Sequence, residues 1–459
     1  MKKYSPLAFL FSLFFAVSAY AGEGRYTLPL TGGGWSLWLD KEASWQNDRL
    51  YLPHEITDLS LLPVNTPTGG WQALNDNPDA VSVEVPGTVE EYLTTSDNPR
   101  PEDFKGVSWW YRKITIPADQ ANKRHLIYFE SVRMRAEVYL DGKLVAYDLI
   151  GETPFHVDIT REAKPGTEQL LAVRVTNPGG NFHWQDFDIQ KWGEYNIPPP
   201  RSFSGIIGRV KLESVNPVFI SDIYMQNTPE PTKVNAIISF TNETPSSVKQ
   251  DVELTVSEKN RPDKVVFRQL LKYVSFPPGK REMMIPVSVS DAKLWDLDTP
   301  ELYTCNIQIK KGKNTLDRDK KNFGFRWFSA EGVGTDAVLR LNGRRVMLRS
   351  AISWGYFPVA GLIATPEMAE KQVLTAKKLG LNMLNFHRCI GSPVVLEKTD
   401  ELGLLYYEEP GSFHSANHDP FIRTIVNEKL KRMVLLSSLW FFVHHVSGIV
   451  PGMPFLCTP

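Results

Sequence analysis

The 459-residue sequence has little cysteine and no excess of charge of one sign. Its three cysteines, Cys305, Cys389 and Cys457, are odd in number and irregularly spaced, which argues against a disulfide framework and predicts buried free thiols. Lys and Arg total 51 against 52 Asp and Glu, so the net charge of −1 creates no field that would attract nucleic acid or an anionic membrane. We expect neither as a partner of the mature chain, and no feature of the sequence indicates an oligomeric state.

The apolar run at the N-terminus, residues 7–17, is too short to span a bilayer comfortably. It follows two lysines and precedes Ala19 and Ala21, a pattern typical of a secretion signal. We predict that residues 1–21 are a signal peptide and that the chain is exported, either to the periplasm or out of the cell. An uncleaved N-terminal anchor is the alternative.

Residues that could bind a metal or a cofactor are also scarce. His414 and His418 are four residues apart, a spacing that suits two metal ligands on one face of a helix. The residues between them, with Pro420 shortly after, are typical of a loop instead. We therefore expect no metal and no cofactor.

What the chain does contain, short alternating apolar runs among 33 Pro and 31 Gly, is typical of β-domains. In residues 22–217 one such run, residues 136–140, meets Asp141-Gly142, a two-residue hairpin signal. Many short strands without helical periodicity predict an all-β sandwich or jelly roll here. Trp184 and Trp192 lie in an aromatic loop of this region; either they reach a sugar site or, as we favour, they pack internally.

Residues 218–328 form a second, smaller β-unit of a length that suits an immunoglobulin-like sandwich. From about residue 329 the pattern changes to strands alternating with helices, which predicts parallel β/α architecture. Thr365-Pro366 opens the first helix with a cap and a proline at its first position. The predicted strands and helices are residues 345–351, 365–379, 381–386, 393–402, 404–409 and 421–435.

Several motifs in these regions together resemble glycoside hydrolase family 2, the β-galactosidase, β-glucuronidase and β-mannosidase group. The resemblance covers most of the chain, and no single string decides it. The motifs are WSLWLD at 35–40, VPG at 85–87, GVSWWYR at 106–112, SGIIGRVKL at 204–212, PELY at 300–303, FGFR at 323–326 and LNGRRV at 341–346.

The resemblance implies a jelly roll, then an immunoglobulin-like sandwich, then a (β/α)8 TIM barrel that holds the active site. It also implies exo-acting hydrolysis of β-linked glycosides with retention, and hence a β-linked oligosaccharide or glycoside as the partner. In this family the two catalytic glutamates lie on the fourth and seventh barrel strands. Residues 329–435 account for only about three of eight units, so we interpret them as the N-terminal part of the barrel. Because three units cannot close its sheet, we expect residues 329–459 to be poorly stable alone.

Residues 436–459 do not continue the barrel pattern. We interpret them as an aberrant tail, as if translated from a shifted reading frame; an authentic divergent C-terminus is the alternative. We therefore expect this chain to lack both catalytic glutamates and to be inactive. A non-catalytic carbohydrate-binding protein and a nonfunctional fragment remain the alternatives.

Two local substitutes for the missing glutamates fail. Glu408 and Glu409 are adjacent on a strand, so their side chains point to opposite faces. Asn427-Glu428 matches the dipeptide that carries the family's acid/base, but it lies inside a helical pattern, so we interpret Glu428 as a solvated helix residue.

The surviving site candidates lie at the ends of the second and third barrel strands. The family usually has Arg at position 385 with Ser-His shortly after, whereas this chain has Asn385-Phe-His387-Arg388. We predict that these polar residues line the substrate pocket, with structural rim residues as the alternative. Glu409 matches a family glutamate that binds a hydroxyl or orients the catalytic groups. The candidate substrate-binding residues are Asn385, His387, Arg388 and Glu409.

Overall fold

The structure, a computed structural model, describes residues 20–21, 24–93, 104–179, 190–198, 203–355, 357, 363–411 and 419–436. It is a multidomain, β-rich protein in those residues. No helix within them is both long and apolar enough to cross a membrane. Several residues discussed above lie outside the described part: residues 1–19, Trp184, His414, His418, Cys457 and all but the first residue of the predicted tail.

Two antiparallel sheets form the first sandwich and share one apolar core, to which both contribute, for example through Trp110 and Ile127. In spatial order, the five-stranded sheet consists of Tyr20–Ala21, Tyr26–Pro29, Val210–Val215, Arg124–Phe129 and Phe155–Asp158. The six-stranded sheet consists of Val81–Val85, Gly32–Asp40, Gly106–Thr115, Glu168–Asn177, Arg135–Leu140 and Lys143–Asp148.

Short elements cover the rest of this sandwich. They are the strand pairs Gln190–Trp192 with Tyr195–Ile197 and Val132–Arg133 with Gly205–Ile206, the helix Val89–Leu93, and the 3₁₀ turns Pro53–Glu55, Leu59–Leu61, Trp71–Leu74 and Ala118–Gln120. The expected hairpin is confirmed at Asp141-Gly142. Both residues have positive φ, +48° and +78°, as a type I′ turn requires.

The second sandwich again has two antiparallel sheets around one core. Its three-stranded sheet consists of Val218–Asn227, Lys233–Asn242 and Gly279–Ser288. Its four-stranded sheet consists of Arg261–Phe276, Val248–Glu258, Tyr303–Lys311 and Asn314–Phe323. Cys305 is a buried free thiol in this core, as predicted.

Arg25 joins the two sandwiches. Its Nε and Nη2 donate to both carboxylate oxygens of Asp317, at 2.9 and 2.8 Å, and Nη2 also donates to the carbonyl oxygen of Ile220 at 2.6 Å. The Asp317 side chain is fully buried and that of Arg25 is 9% exposed. The junction therefore depends on a buried, two-pronged ion pair.

A small antiparallel sheet follows, made of Phe328–Glu331, Val338–Leu341 and Arg344–Arg345. The β/α segment, residues 350–436, comes next. Its three strands are parallel and adjacent in the order Ser350–Ser353, Met383–Phe386 and Leu405–Glu408. Its first, second and third helices are Pro366–Lys378, Pro393–Leu402 and Pro420–Leu436.

The first parallel strand begins later than the sequence predicted, at Ser350 instead of residue 345. Residue 345 belongs instead to Arg344–Arg345, which pairs with Val338–Leu341 in the small antiparallel sheet, and the backbone N–H of Val346 also donates to the carbonyl oxygen of Leu339 at 2.8 Å. The predicted helix start is confirmed: the side chain of Thr365 accepts from the N–H of Met368, and Pro366 occupies the first helical position. Leu384 and Phe386 pack towards the helices in a shared core.

Candidate functional site

The four predicted site residues lie at one edge of the parallel sheet. Asn385 is on the second strand, His387 and Arg388 follow that strand directly, and Glu409 follows the third. Because the strands are parallel, their carboxyl ends meet at the same edge. Sequence and topology alone therefore bring these side chains together.

Glu409 connects the two strand ends. Its Oε1 lies 3.3 Å from Nδ1 of His387, and its Oε2 accepts from the backbone N–H of Arg388 at 3.0 Å. The side chains of His387 and Glu409 are 22% and 20% exposed, so a ligand can still reach them. The pair can both donate to and accept from a ligand hydroxyl.

Asn385 offers a further acceptor. Its Oδ1 is buried and has no hydrogen-bond partner within the described residues. Cross-strand register places Asn385 beside Ile352 on one side and Tyr407 on the other, opposite to the face that packs on the helices. An unpartnered buried oxygen is costly, so a donor from a ligand would be stabilising here.

Trp354 lies beside the candidate site and was missed by the sequence analysis. It follows the first parallel strand directly, and its ring meets the His387 ring edge to face with centroids 5.1 Å apart. The signal was present, since an aromatic residue just after a parallel strand lies at the same edge as the ends of the other two strands. A partly exposed indole provides a flat apolar surface against which a sugar ring can pack.

Glu408 lies on the other face of the third strand, as the alternation predicted. Its side chain is buried, and its Oε2 accepts from the backbone N–H of Gly391 at 3.0 Å. Burial raises the pKa of Glu408 to about 7, while the Gly391 hydrogen bond acts in the opposite direction. Glu408 and Glu409 therefore do not converge on one point.

The remaining candidates take structural positions. Trp192 is buried in the first sandwich, where its Nε1 donates to the carbonyl oxygen of Trp45 at 3.0 Å. Glu428 lies on the third helix and accepts from Nε of Arg432 at 3.2 Å; it is partly buried there, not fully solvated as predicted. Across the described ranges, no three His, Cys, Asp or Glu side chains are grouped as metal ligands would be.

Two domain profiles match the chain. Residues 35–195 match the sugar binding domain of glycosyl hydrolases family 2, and residues 218–326 match a second domain of the same family. Together they cover more than half of the sequence.

Curated relatives agree with these matches. A putative β-glucuronidase of Formosa agariphila is 26% identical over 80% of this chain and 40% of its own length. A β-galactosidase of Thermoanaerobacter pseudethanolicus is 26% identical over 73% of this chain and 43% of its own length. The chain thus spans about two fifths of the length of these relatives.

Solved structures show the same fold. A β-glucuronidase of Bacteroides uniformis superposes with a TM-score of 0.68 at 20% identity, over 90% of this chain and 45% of that one. A Ruminococcus gnavus β-glucuronidase in complex with D-glucuronic acid superposes with a TM-score of 0.64 at 19% identity, over 91% and 66% of the two chains.

Proposed function

Because this chain belongs to glycoside hydrolase family 2, we propose that the carboxyl edge of its parallel sheet binds the sugar of a β-linked glycoside. In this proposal, the β/α segment is part of a (β/α)8 barrel. The active sites of such barrels lie at the carboxyl ends of their strands. The relatives are named β-glucuronidases and β-galactosidases, so a β-linked glucuronide or galactoside is the proposed substrate class. For a complete barrel of this kind, the proposed reaction is exo-acting hydrolysis with retention.

The observation that supports this proposal best is the arrangement around Glu409. Its carboxylate holds the His387 ring and the Arg388 backbone together at an accessible edge, beside the unpartnered Asn385 oxygen. Trp354 adds an apolar surface next to this polar group. Sugars present hydroxyl groups and an apolar C–H face, and pockets that bind them combine convergent polar groups with aromatic rings.

Retention requires two carboxyl groups about 5–5.5 Å apart. Residues 329–459 contain eleven Asp and Glu. Nine lie in or between the strands of the small antiparallel sheet, or on or just before the helices: Glu331, Asp336, Glu367, Glu370, Glu397, Asp400, Glu401, Asp419 and Glu428. The other two are Glu408 and Glu409, which face apart. We therefore propose that neither the acid/base nor the nucleophile is among these eleven.

This proposal predicts that the purified 459-residue chain does not hydrolyse 4-nitrophenyl β-D-glucuronide or 4-nitrophenyl β-D-galactoside. The expected result is 4-nitrophenol release no faster than in buffer, measured by absorbance over a day at pH 5, 6 and 7. Hydrolysis that disappears in the Glu409→Gln variant would contradict the proposal, because it would identify a catalytic carboxyl that the geometry does not show.

Binding is expected even without turnover. Phenyl 1-thio-β-D-glucuronide and the matching galactoside resist hydrolysis, so their affinities can be measured by calorimetry. Replacing Glu409 by Gln should weaken the tighter of the two by about tenfold or more, because a charge-assisted hydrogen bond is lost and the His387 contact weakens. Glu370→Gln, on the solvent side of the first helix, is the matched control and should leave affinity unchanged. Equal affinity in both variants would place the sugar elsewhere.

A further inference from the structure

The six-stranded sheet has a second face, opposite to the sandwich core, that is rich in aromatic and charged side chains. Along Gly106–Thr115, Trp110 and Ile114 enter the core, while Trp109 and Tyr111 point to this second face. The charged residues on it are buried and paired: the Nη1 of Arg174 donates to Glu137 at 2.5 Å. An exposed face of this composition would suit a sugar, but this one is covered by the chain itself.

Part of that cover is the third helix, Pro420–Leu436. Its Ile425 is fully buried in the same aromatic cluster, and Phe421 packs on Tyr195 with ring centroids 5.0 Å apart. Just before the helix, Asp419 accepts from the side chain of Asn196 at 2.5 Å. The helix thus docks on the hairpin that closes the first sandwich.

Two ion pairs reinforce this docking. Arg432 donates to Asp148 at 2.7 Å, and Lys429 donates to Glu152 at 3.0 Å. These four side chains are between 5% and 16% exposed, and Arg133 shares the Glu152 carboxylate. Breaking a buried pair by removing one partner leaves an uncompensated charge, so each pair ties the helix firmly to the sandwich.

The docked helix reaches the candidate site through a small cavity. Arg388, Lys429, Arg133 and Glu152 all line it, and its volume of about 20 Å³ has room for about one water molecule. Glu152 and Arg388 both have left-handed backbone conformations, with φ of +56° and +58°. Such conformations are unfavourable for residues other than glycine and persist where the surrounding structure fixes them.

We propose that the first sandwich is a positioning platform for the site and not a sugar-binding module. Asp148 and Glu152 hold the third helix, and this contact fixes the position of Arg388 at the edge of the sheet. Lys429 and Glu152 are positioning residues in this arrangement, since they act through Arg388. This inference rests on the proposed function in one respect, which is that Arg388 is part of the proposed sugar site.

Two lysines of the third helix provide a matched pair of variants. The Lys429 side chain is 10% exposed and pairs with Glu152, whereas the Lys431 side chain is 56% exposed and lies 3.7 Å from Glu428 of its own helix. Amide hydrogen exchange of the full chain, read by mass spectrometry, should be about tenfold faster in Lys429→Gln, both in the third helix and in residues 387–391. Lys431→Gln should exchange like the unmodified chain, and Lys429→Arg should restore most of the protection.

The affinity for phenyl 1-thio-β-D-glucuronide should fall several-fold in Lys429→Gln and not in Lys431→Gln. Faster exchange confined to the third helix, with residues 387–391 unchanged, would overturn the inference, as would identical behaviour of the two variants. If Lys429→Gln does not fold, Glu152→Gln removes the pair from the sandwich side, together with the Arg133 contact of the same carboxylate, and is judged by the same criteria. Coupled exchange in a chain that binds no glycoside would support the platform and reject the proposed function.

Discussion

The Arg25→Met variant is expected to lose about 3 kcal/mol of unfolding free energy. Methionine leaves the fully buried carboxylate of Asp317 without its cation. Among the described residues, only the backbone N–H of Ile220, at 2.7 Å, would still donate to that carboxylate. Urea unfolding at pH 7, followed by tryptophan fluorescence, measures the loss.

Arg161→Met is the control for this substitution. The Arg161 side chain is 93% exposed, so its removal should change stability by less than about 0.5 kcal/mol. A second check is the double variant Arg25→Met with Asp317→Leu, which removes both charges and should recover most of the stability. If Arg25→Met and Arg161→Met unfold at the same urea concentration, the ion pair does not hold the two sandwiches together.

Much of the fold could be predicted from the sequence, because the local turn, cap and periodicity patterns agree with the tertiary packing. The Asp141-Gly142 turn needs two positive φ values, and that dipeptide favours them. Thr365-Pro366 caps a helix whose apolar residues recur at helical spacing. Where turn, cap and periodicity all point the same way, a sequence specifies the local structure directly.

Two strands of the second sandwich could not be predicted from local sequence patterns. Arg261–Phe276 carries a proline and several charges, and Asn314–Phe323 has five charged residues. Neither alternates cleanly, because each lies at an edge of the four-stranded sheet with much of its surface exposed to solvent. Their strand structure comes from backbone pairing with the central strands Val248–Glu258 and Tyr303–Lys311, which no local pattern encodes.

Only part of the candidate site could be predicted from the sequence. Parallel strand ends meet at one edge, so Asn385, His387 and Glu409 could be grouped from the sequence alone. The backbone N–H of Arg388 donates to Glu409 from a residue with positive φ, a conformation that the sequence does not signal. The docking of the third helix on the first sandwich joins residues more than 270 positions apart, and the sequence did not predict it either.

Replacing Glu408 by Gln is expected to stabilise the β/α segment at pH 8 and to have little effect at pH 5. The folded-state pKa of Glu408, about 7, is above its ordinary value of 4.5 because the carboxyl is buried. The folded chain therefore binds this proton more tightly than the unfolded chain, and stability falls as pH rises from 4.5 to 7. The difference corresponds to about 3 kcal/mol, present in full only above pH 7.

Gln reproduces the neutral form of Glu408, and its Oε1 can still accept from the Gly391 N–H, so the variant should escape this loss. Hydrogen exchange of residues 404–411 at pH 5 and pH 8, corrected for the intrinsic pH dependence of exchange, measures the difference. Glu370→Gln is the exposed control and should behave alike at both pH values. A Glu408→Gln effect that is the same at pH 5 and pH 8 would mean that the carboxyl does not titrate in this range. The expected result would instead mean that the stability of the candidate site depends on pH. Glu408 is adjacent to Glu409, so ionisation of Glu408 would destabilise the end of the third parallel strand and thereby the position of Glu409.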